Sequence, residues 1–231
     1  MTNPWPSRRA TATVRKGDAR ERQILDAAEN LLSASSYGEL TVADIAEAAG
    51  ITRSALYFYF GSKQEVLTAL VARTVQHLQD DVQSLRDTPG SARGTTETVE
   101  NTIDMALEST VQLWRRHGPV MRMAVDLATA VPDIDQLWAG TAEVSIEVIT
   151  DVLCRGGVPL GAGAGDAPAL ARALCWMIER SFYQASKTST EALDDAKQTC
   201  QAVWMHIVVP REPLVDNSPR TRTCRGAGLT S

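Results

Sequence analysis

The chain has 231 residues, of which 44% are hydrophobic, 22% charged and only 5% aromatic, with a net charge of −5. That length can bury one large core or two modest ones, and the alanine-rich, ring-poor composition favours helix over sheet. No apolar run reaches about 18 residues, so no membrane span is expected. The opening MTNPWPSRRATATVRK has no apolar segment of signal-peptide type, so a cytoplasmic protein is expected. Cys154, Cys175, Cys200 and Cys224 are far apart, and His77, His117 and His206 never fall four residues apart. Neither a metal site, a cofactor nor a disulfide framework is expected from such spacing.

The acid is unevenly placed. Residues 1–63 carry 8 Lys and Arg against 7 Asp and Glu, residues 64–210 carry 11 against 19, and residues 211–231 carry 4 against 2. Between Ile51 and Lys63 there are two cations and no acid. A small cationic head on an acidic body is compatible with binding DNA through the head.

In chain order, residues 1–18 hold prolines and cations without apolar periodicity and are expected to form a disordered basic arm. From Ala19 to Ser35, Ile24, Leu25, Ala28, Leu31 and Leu32 mark one face of a helix. Thr41 then caps a second helix, with Asp44 as its capping-box partner. Val42, Ile45, Ala46 and Ala49 face inward, and Gly50 supplies a turn that needs positive φ. Thr52 caps a third helix ending near Phe60, anchored by Leu56 and Phe60. Arg53, Ser54, Tyr57 and Tyr59 are left outward. Gly61-Ser62 breaks the chain, Ser62 caps the next helix, and Lys63 lies in its first turn. A cation there is unfavourable against the helix dipole unless a phosphate comes to the same place.

A long helix from Lys63 to about Arg86 follows, then the loop TPGSARGTT. Further helices are expected at about 96–116, 119–130, 133–155, 167–187 and 190–208. The first of these ends at His117-Gly118-Pro119. GGVPLGAGAGDAP reads as a loop; with no preceding strand, its glycines do not form a nucleotide-binding turn. The chain from Pro210 reads as a disordered tail. The expected fold is all-α: a helix-turn-helix domain over 19–63 joined to a helical body over 64–209, about nine helices in all.

The run TVADIAEAAGITRSALYFYFGSKQEVL (Thr41–Leu67), with the helix before it, closely resembles the signature of the TetR family of bacterial transcriptional regulators. The matching features are the G-I-T turn, the L-Y-F-Y-F helix and the K-Q-E-V-L start of the fourth helix. More weakly, YFYF, Trp138, the E-R-S-F-Y run from Glu179 and Trp204 resemble the EthR-like subgroup. Many family members have histidine where this chain has Tyr59, which can donate to a phosphate but cannot become cationic.

The resemblance implies that Thr41, Thr52, Tyr57, Tyr59 and Lys63 contact phosphates of an operator in double-stranded DNA, while Arg53 and Ser54 reach base edges in the major groove. The chemistry agrees, since an Arg fork matches guanine O6 and N7. It also implies a homodimer joined through helices 167–187 and 190–208, with Leu170, Leu174, Ile178, Val203, Ile207 and Val208 as candidate contacts. The weaker resemblance places Ile103, Ala106, Thr110, Trp114, Trp138, Ala142, Glu179, Tyr183 and Trp204 around a pocket for a small lipophilic effector that releases a repressor from DNA. An activator or ligand-independent regulator would use the same head. No nucleophile with a placed base is found, so no enzyme is expected.

Overall fold

The computed structural model describes residues 8–86 and 96–208, with side chains described for 17–79 and 99–208. Among these residues there are eight helices and no strand: α1 (Arg8–Ala34), α2 (Val42–Ala48), α3 (Arg53–Tyr59), α4 (Lys63–Arg86), α5 (Thr96–Ala128), α6 (Pro132–Arg155), α7 (Ala167–Ser186) and α8 (Thr190–Val208). The loop TPGSARGTT and the tail from Pro210 fall outside the described residues, apart from Thr96, which opens α5.

Two boundaries differ from the periodicity reading. α1 starts at Arg8, inside the segment read as a disordered arm. RRATATVRK contains no proline, and its alanines, arginines and lysine have high helix propensity, which an apolar-periodicity test does not register. The expected helices at 96–116 and 119–130 run together as α5, but the break between them is real. His117 leaves helical geometry (φ −120, ψ 16), and Pro119 follows. A proline at that place cannot donate to the carbonyl four residues back.

The head is assembled by short-range devices. Asp44 N–H donates to Thr41 Oγ1 (3.2 Å) and Thr41 N–H donates to Asp44 Oδ2 (2.9 Å), closing the capping box. The Thr41 hydroxyl and, after it, the Thr41 N–H, both donating to the Asp44 carboxylate, lower its pKa. Gly50 takes φ +63, a left-handed conformation in which a Cβ would be strained. Ala55 N–H donates to Thr52 Oγ1 and Glu65 N–H to Ser62 Oγ, both at 3.1 Å, so α3 and α4 are capped as the sequence implies. Gln23 of α1 donates to the Ala49 carbonyl at the end of α2 (2.9 Å).

Two apolar clusters hold the chain. The first joins Ile24, Ala28, Ile45, Leu56, Phe60, Val66 and Leu70 of the head and α4 to Val120, Met123 and Ala124 of α5 and Ile134 of α6. The second fills the body, with Val99, Ile103, Val111 and Trp114 of α5 against Leu153, Leu174, Phe182, Cys200 and Trp204. The α5 kink therefore falls where the helix passes from one core to the other. Trp138 of α6 packs against both.

A polar network lies at the same joint. Arg73 of α4 reaches Asp26 Oδ1 and Glu29 Oε2 of α1, each at 2.6 Å. The other Glu29 oxygen is 2.5 Å from His117 Nδ1, and the His117 ring stacks on His77 of α4 with centroids 5.7 Å apart. At the far end, Gly156 closes α6 against α8: a Cβ there would come within 1.9 Å of Val208 Cγ1.

Candidate nucleic-acid interface and an internal cavity

α3 is seven residues long and presents most of itself to solvent. Thr52, Arg53, Ser54, Tyr57 and Phe58 are exposed, while Leu56 is fully buried and Phe60 nearly so. Tyr59 differs from the expectation. It is half-buried and packs against the head core, with Phe58 edge-on to it at 5.2 Å. Phe58, which was not among the expected contacts, is 83% exposed. A phenylalanine between two tyrosines is assigned to the core by hydrophobicity alone. Only the 100° step from buried Leu56 to Phe60 reveals that position 58 must point away.

The hydroxyls at the helix starts are not equivalent. Thr52 Oγ1 accepts from Ala55, which leaves its own proton for an outside acceptor. The Thr41 hydroxyl donates to Asp44 Oδ2 at 2.6 Å, so a phosphate would have to compete for it. Lys63 is also engaged. Its ammonium donates to the carbonyls of Leu40 (2.8 Å) and Tyr37 (3.1 Å), bracing the link between α1 and α2. One of its three protons remains for an anion. This is a second physical reason for a lysine in the first turn of α4, because carbonyl oxygens offset the dipole penalty.

Inside the body lies a cavity of about 170 Å³ between α4, α5, α6, α7 and α8. Ile103, Ala106, Thr110, Trp114, Trp138, Ala142, Glu179 and Trp204 all line it. Tyr183 does not. Its ring is buried, with the Arg180 guanidinium 5.0 Å and the Lys187 ammonium 3.9 Å from its centroid, and its hydroxyl is held by Asp126 and Lys187. Facing that charged cluster, Tyr183 is a structural ring. The wall also includes residues that sequence reasoning passed over, among them Met121, Thr141, Ser145, Cys175 and Ile178.

The polar groups of this wall are few. Trp138 Nε1–H donates to Glu179 Oε2 at 2.8 Å. Thr110, Thr141 and Ser145 each donate to the carbonyl four residues back, at 2.9, 2.9 and 3.0 Å. Burial, reinforced by the Glu179 and Glu143 carboxylates, pushes the Cys175 thiol up to about 11. Because the thiolate is the reactive form, iodoacetamide at pH 8 should alkylate Cys175 at least roughly tenfold more slowly than a free model thiol. Peptide mass mapping over time checks this, and labelling of Cys175 at the model-thiol rate would contradict the raised thiol pKa at this half-buried position.

The dimer candidates divide between fully and partly buried positions. Leu174 and Val208 are buried in the protomer's own core, and Leu170, Ile178, Val203 and Ile207 pack against it. The outer face of α7 instead exposes Ala169, Arg172, Ala173 and Trp176, the last 41% exposed. Among the described residues, no cluster of His, Cys, Asp and Glu could hold a metal ion, and no helix is long and apolar enough to cross a membrane.

The comparisons with known proteins agree with this geometry. The family described as "Bacterial regulatory proteins, tetR family" matches residues 24–70, which span the last part of α1 through the start of α4. The HTH-type transcriptional regulator EthR of Mycobacterium tuberculosis is 29% identical over 206 residues, covering 87% of this chain and 91% of that protein. Among solved structures, a TetR transcription regulator from Haloarcula marismortui superposes with a TM-score of 0.64 at 18% identity, over 81% of this chain and 96% of that one. A tetR-family regulator from Streptomyces coelicolor gives 0.63 at 18% identity, over 83% and 82%. Capped head, exposed short α3 and helical body are thus found in one chain together with similarity along nearly its whole length, and the protein belongs to the TetR family of DNA-binding transcriptional regulators.

Proposed function

We propose that the protein is a repressor that binds a palindromic operator as a homodimer and leaves it when a small lipophilic molecule fills the body cavity. The observation that carries the DNA half of this reading is the face of α3. A helix this short holds five exposed residues on or beside it, Thr52, Arg53, Ser54, Tyr57 and Phe58, and is anchored by Leu56 and Phe60. Arg53 and Ser54 lie at the end of the helix that leads into a major groove, where they would read bases. Thr52, Tyr57 and the remaining Lys63 proton would hold phosphates, with Thr41 and Tyr59 at the margin.

Two copies would meet through the exposed face of α7, where Trp176 supplies a large apolar anchor flanked by alanines. Such a dimer would set the recognition helices about 34–36 Å apart, or a multiple of that. The cavity sits between α4, which leads out of the head, and the helices on which the copies would meet. A ligand favouring another arrangement of these helices would shift the dimer away from the operator spacing.

Footprinting tests the whole reading. The protein should protect one palindrome, and a lipophilic effector should abolish that protection; uniform protection of any DNA would overturn it. Arg53→Ala should weaken operator binding by about 1–3 kcal/mol and relax preference at one base pair per half-site. An unchanged consensus after in vitro selection with the variant would remove Arg53 from base reading.

A further inference from the structure

The hydrogen-bonding chemistry of the cavity narrows the kind of molecule it takes. Its wall carries apolar side chains, three indoles, a few hydroxyls, one thiol and a single carboxylate, Glu179. Among the described residues no Lys, Arg or His lines it. The neighbouring cations are engaged outside: Arg180 over the Tyr183 ring, and Arg172 with Glu143 at 2.7 Å.

Four of the wall's donors are used up internally, while the Ser109 hydroxyl and the Trp114 indole N–H make no such bond among the described residues. The Trp138 indole N–H goes to Glu179, and the protons of Thr110, Thr141 and Ser145 go to backbone carbonyls of their own helices. Trp204 Nε1–H has no acceptor, but it is sealed beneath neighbouring atoms and does not open onto the free space. What the engaged groups still offer a guest is acceptor capacity. A carboxylate has about four lone-pair positions and Trp138 fills one; each hydroxyl oxygen keeps its lone pairs.

An entering molecule with a carboxylate head would bring a second negative charge beside Glu179, with no cation to offset either. A neutral head would leave the Glu179 charge without a counter-ion. A protonated amine meets both conditions, since it supplies donors only and its charge is opposite. The indoles of Trp114, Trp138 and Trp204 are also the aromatic side chains that best tolerate a nearby cation.

We propose that the effector cavity is selective for lipophilic amines, with Glu179 as the counter-ion of the ammonium group and the apolar wall around the hydrocarbon part. This rests on the cavity being the effector site. Glu179 is a specificity-determining residue, held in place by the Trp138 hydrogen bond.

The test compares decylamine, decanol and decanoate, all below micelle-forming concentrations, by calorimetry on the full-length protein at neutral pH. Decylamine should bind at least ~tenfold more tightly than either of the others, as expected for a hydrogen-bonded charge pair. Glu179→Gln keeps the shape and an acceptor for Trp138, so it should still bind decanol while the preference for decylamine disappears. Persistence of that preference in Glu179→Gln would overturn the assignment. Tight binding of decanoate or decanol with no advantage for decylamine would also overturn it, while leaving the cavity as an effector site. If none of the three binds, the amine assignment and the effector reading both fall.

Discussion

Replacing Leu56 by alanine should remove about 3–5 kcal/mol of stability from the head and abolish operator binding. α3 has seven residues, too few to be stable as an isolated helix. Leu56 is its single fully buried side chain, with Phe60 closing the far end. Removing it leaves a hole in the head core, where Ile24, Ile45, Phe60 and Val66 are also buried and the capped starts of α2 and α4 resist collapse. The second core, in the body, does not include Leu56. Most helical circular dichroism should therefore survive at temperatures where binding is already lost. Phe58→Ala is the matched control, because that ring is exposed and its loss leaves the head's melting unchanged. A Leu56→Ala protein that melts and binds like the parent would show that α3 is held by something else.

Arg73→Ala should cost roughly 2–4 kcal/mol, nearly as much, by a different route. Arg73 bridges two carboxylates of α1, and Glu29 is shared between Arg73 and His117. The side chains of Arg73, Glu29 and His117 are 21%, 19% and 14% exposed, so water replaces the lost partner only in part. Asp26 is 66% exposed and can rehydrate, so the cost falls chiefly on Glu29. Arg73→Lys should recover only part of the loss, since its compact ammonium lacks the spread of the two guanidinium nitrogens that reach Asp26 and Glu29 separately. Combining Arg73→Ala with Glu29→Gln in urea denaturation should give a clearly smaller loss than the sum of the two. Strict additivity would show that the bridge contributes nothing.

Much of the head was legible because its determinants are local. Thr41 with Asp44, Gly50, Thr52 and Ser62 act over three or four residues, and each has a chemistry that admits few conformations. The α5 break was legible for the same reason, in His117-Gly118-Pro119. What periodicity could not supply is the identity of the covering surface. It marks Leu174 and Val208 as apolar-face residues, yet the protomer itself covers them. Lys63 finds its carbonyls 23 and 26 residues away, and Arg73 finds Glu29 44 residues away. Such partners depend on how helices cross, which no short window contains. Tyr183 was misplaced because an aromatic on an inward face can turn to a cavity or to a charged cluster, and the sequence marks both alike.

The jointed α5 has a consequence for how this protein can change over time. Its first segment packs in the body core and its second mainly in the head core, with Met121 and Val125 turned back to the body, and the connection between them is already without the backbone hydrogen bond that Pro119 cannot make. Side chains on the Thr96 side of the joint can be exchanged, enlarged or trimmed while the Ala128 side keeps its seat against α1 and α4. Mutational tolerance should therefore be partitioned along a single helix. If the body cavity is the effector site proposed above, the first half, with Met121 beyond the joint, is the part free to accommodate new guests, while the rest of the second half stays bound to the head. On the proposed function, a lineage would then acquire a new effector without having to relearn its operator.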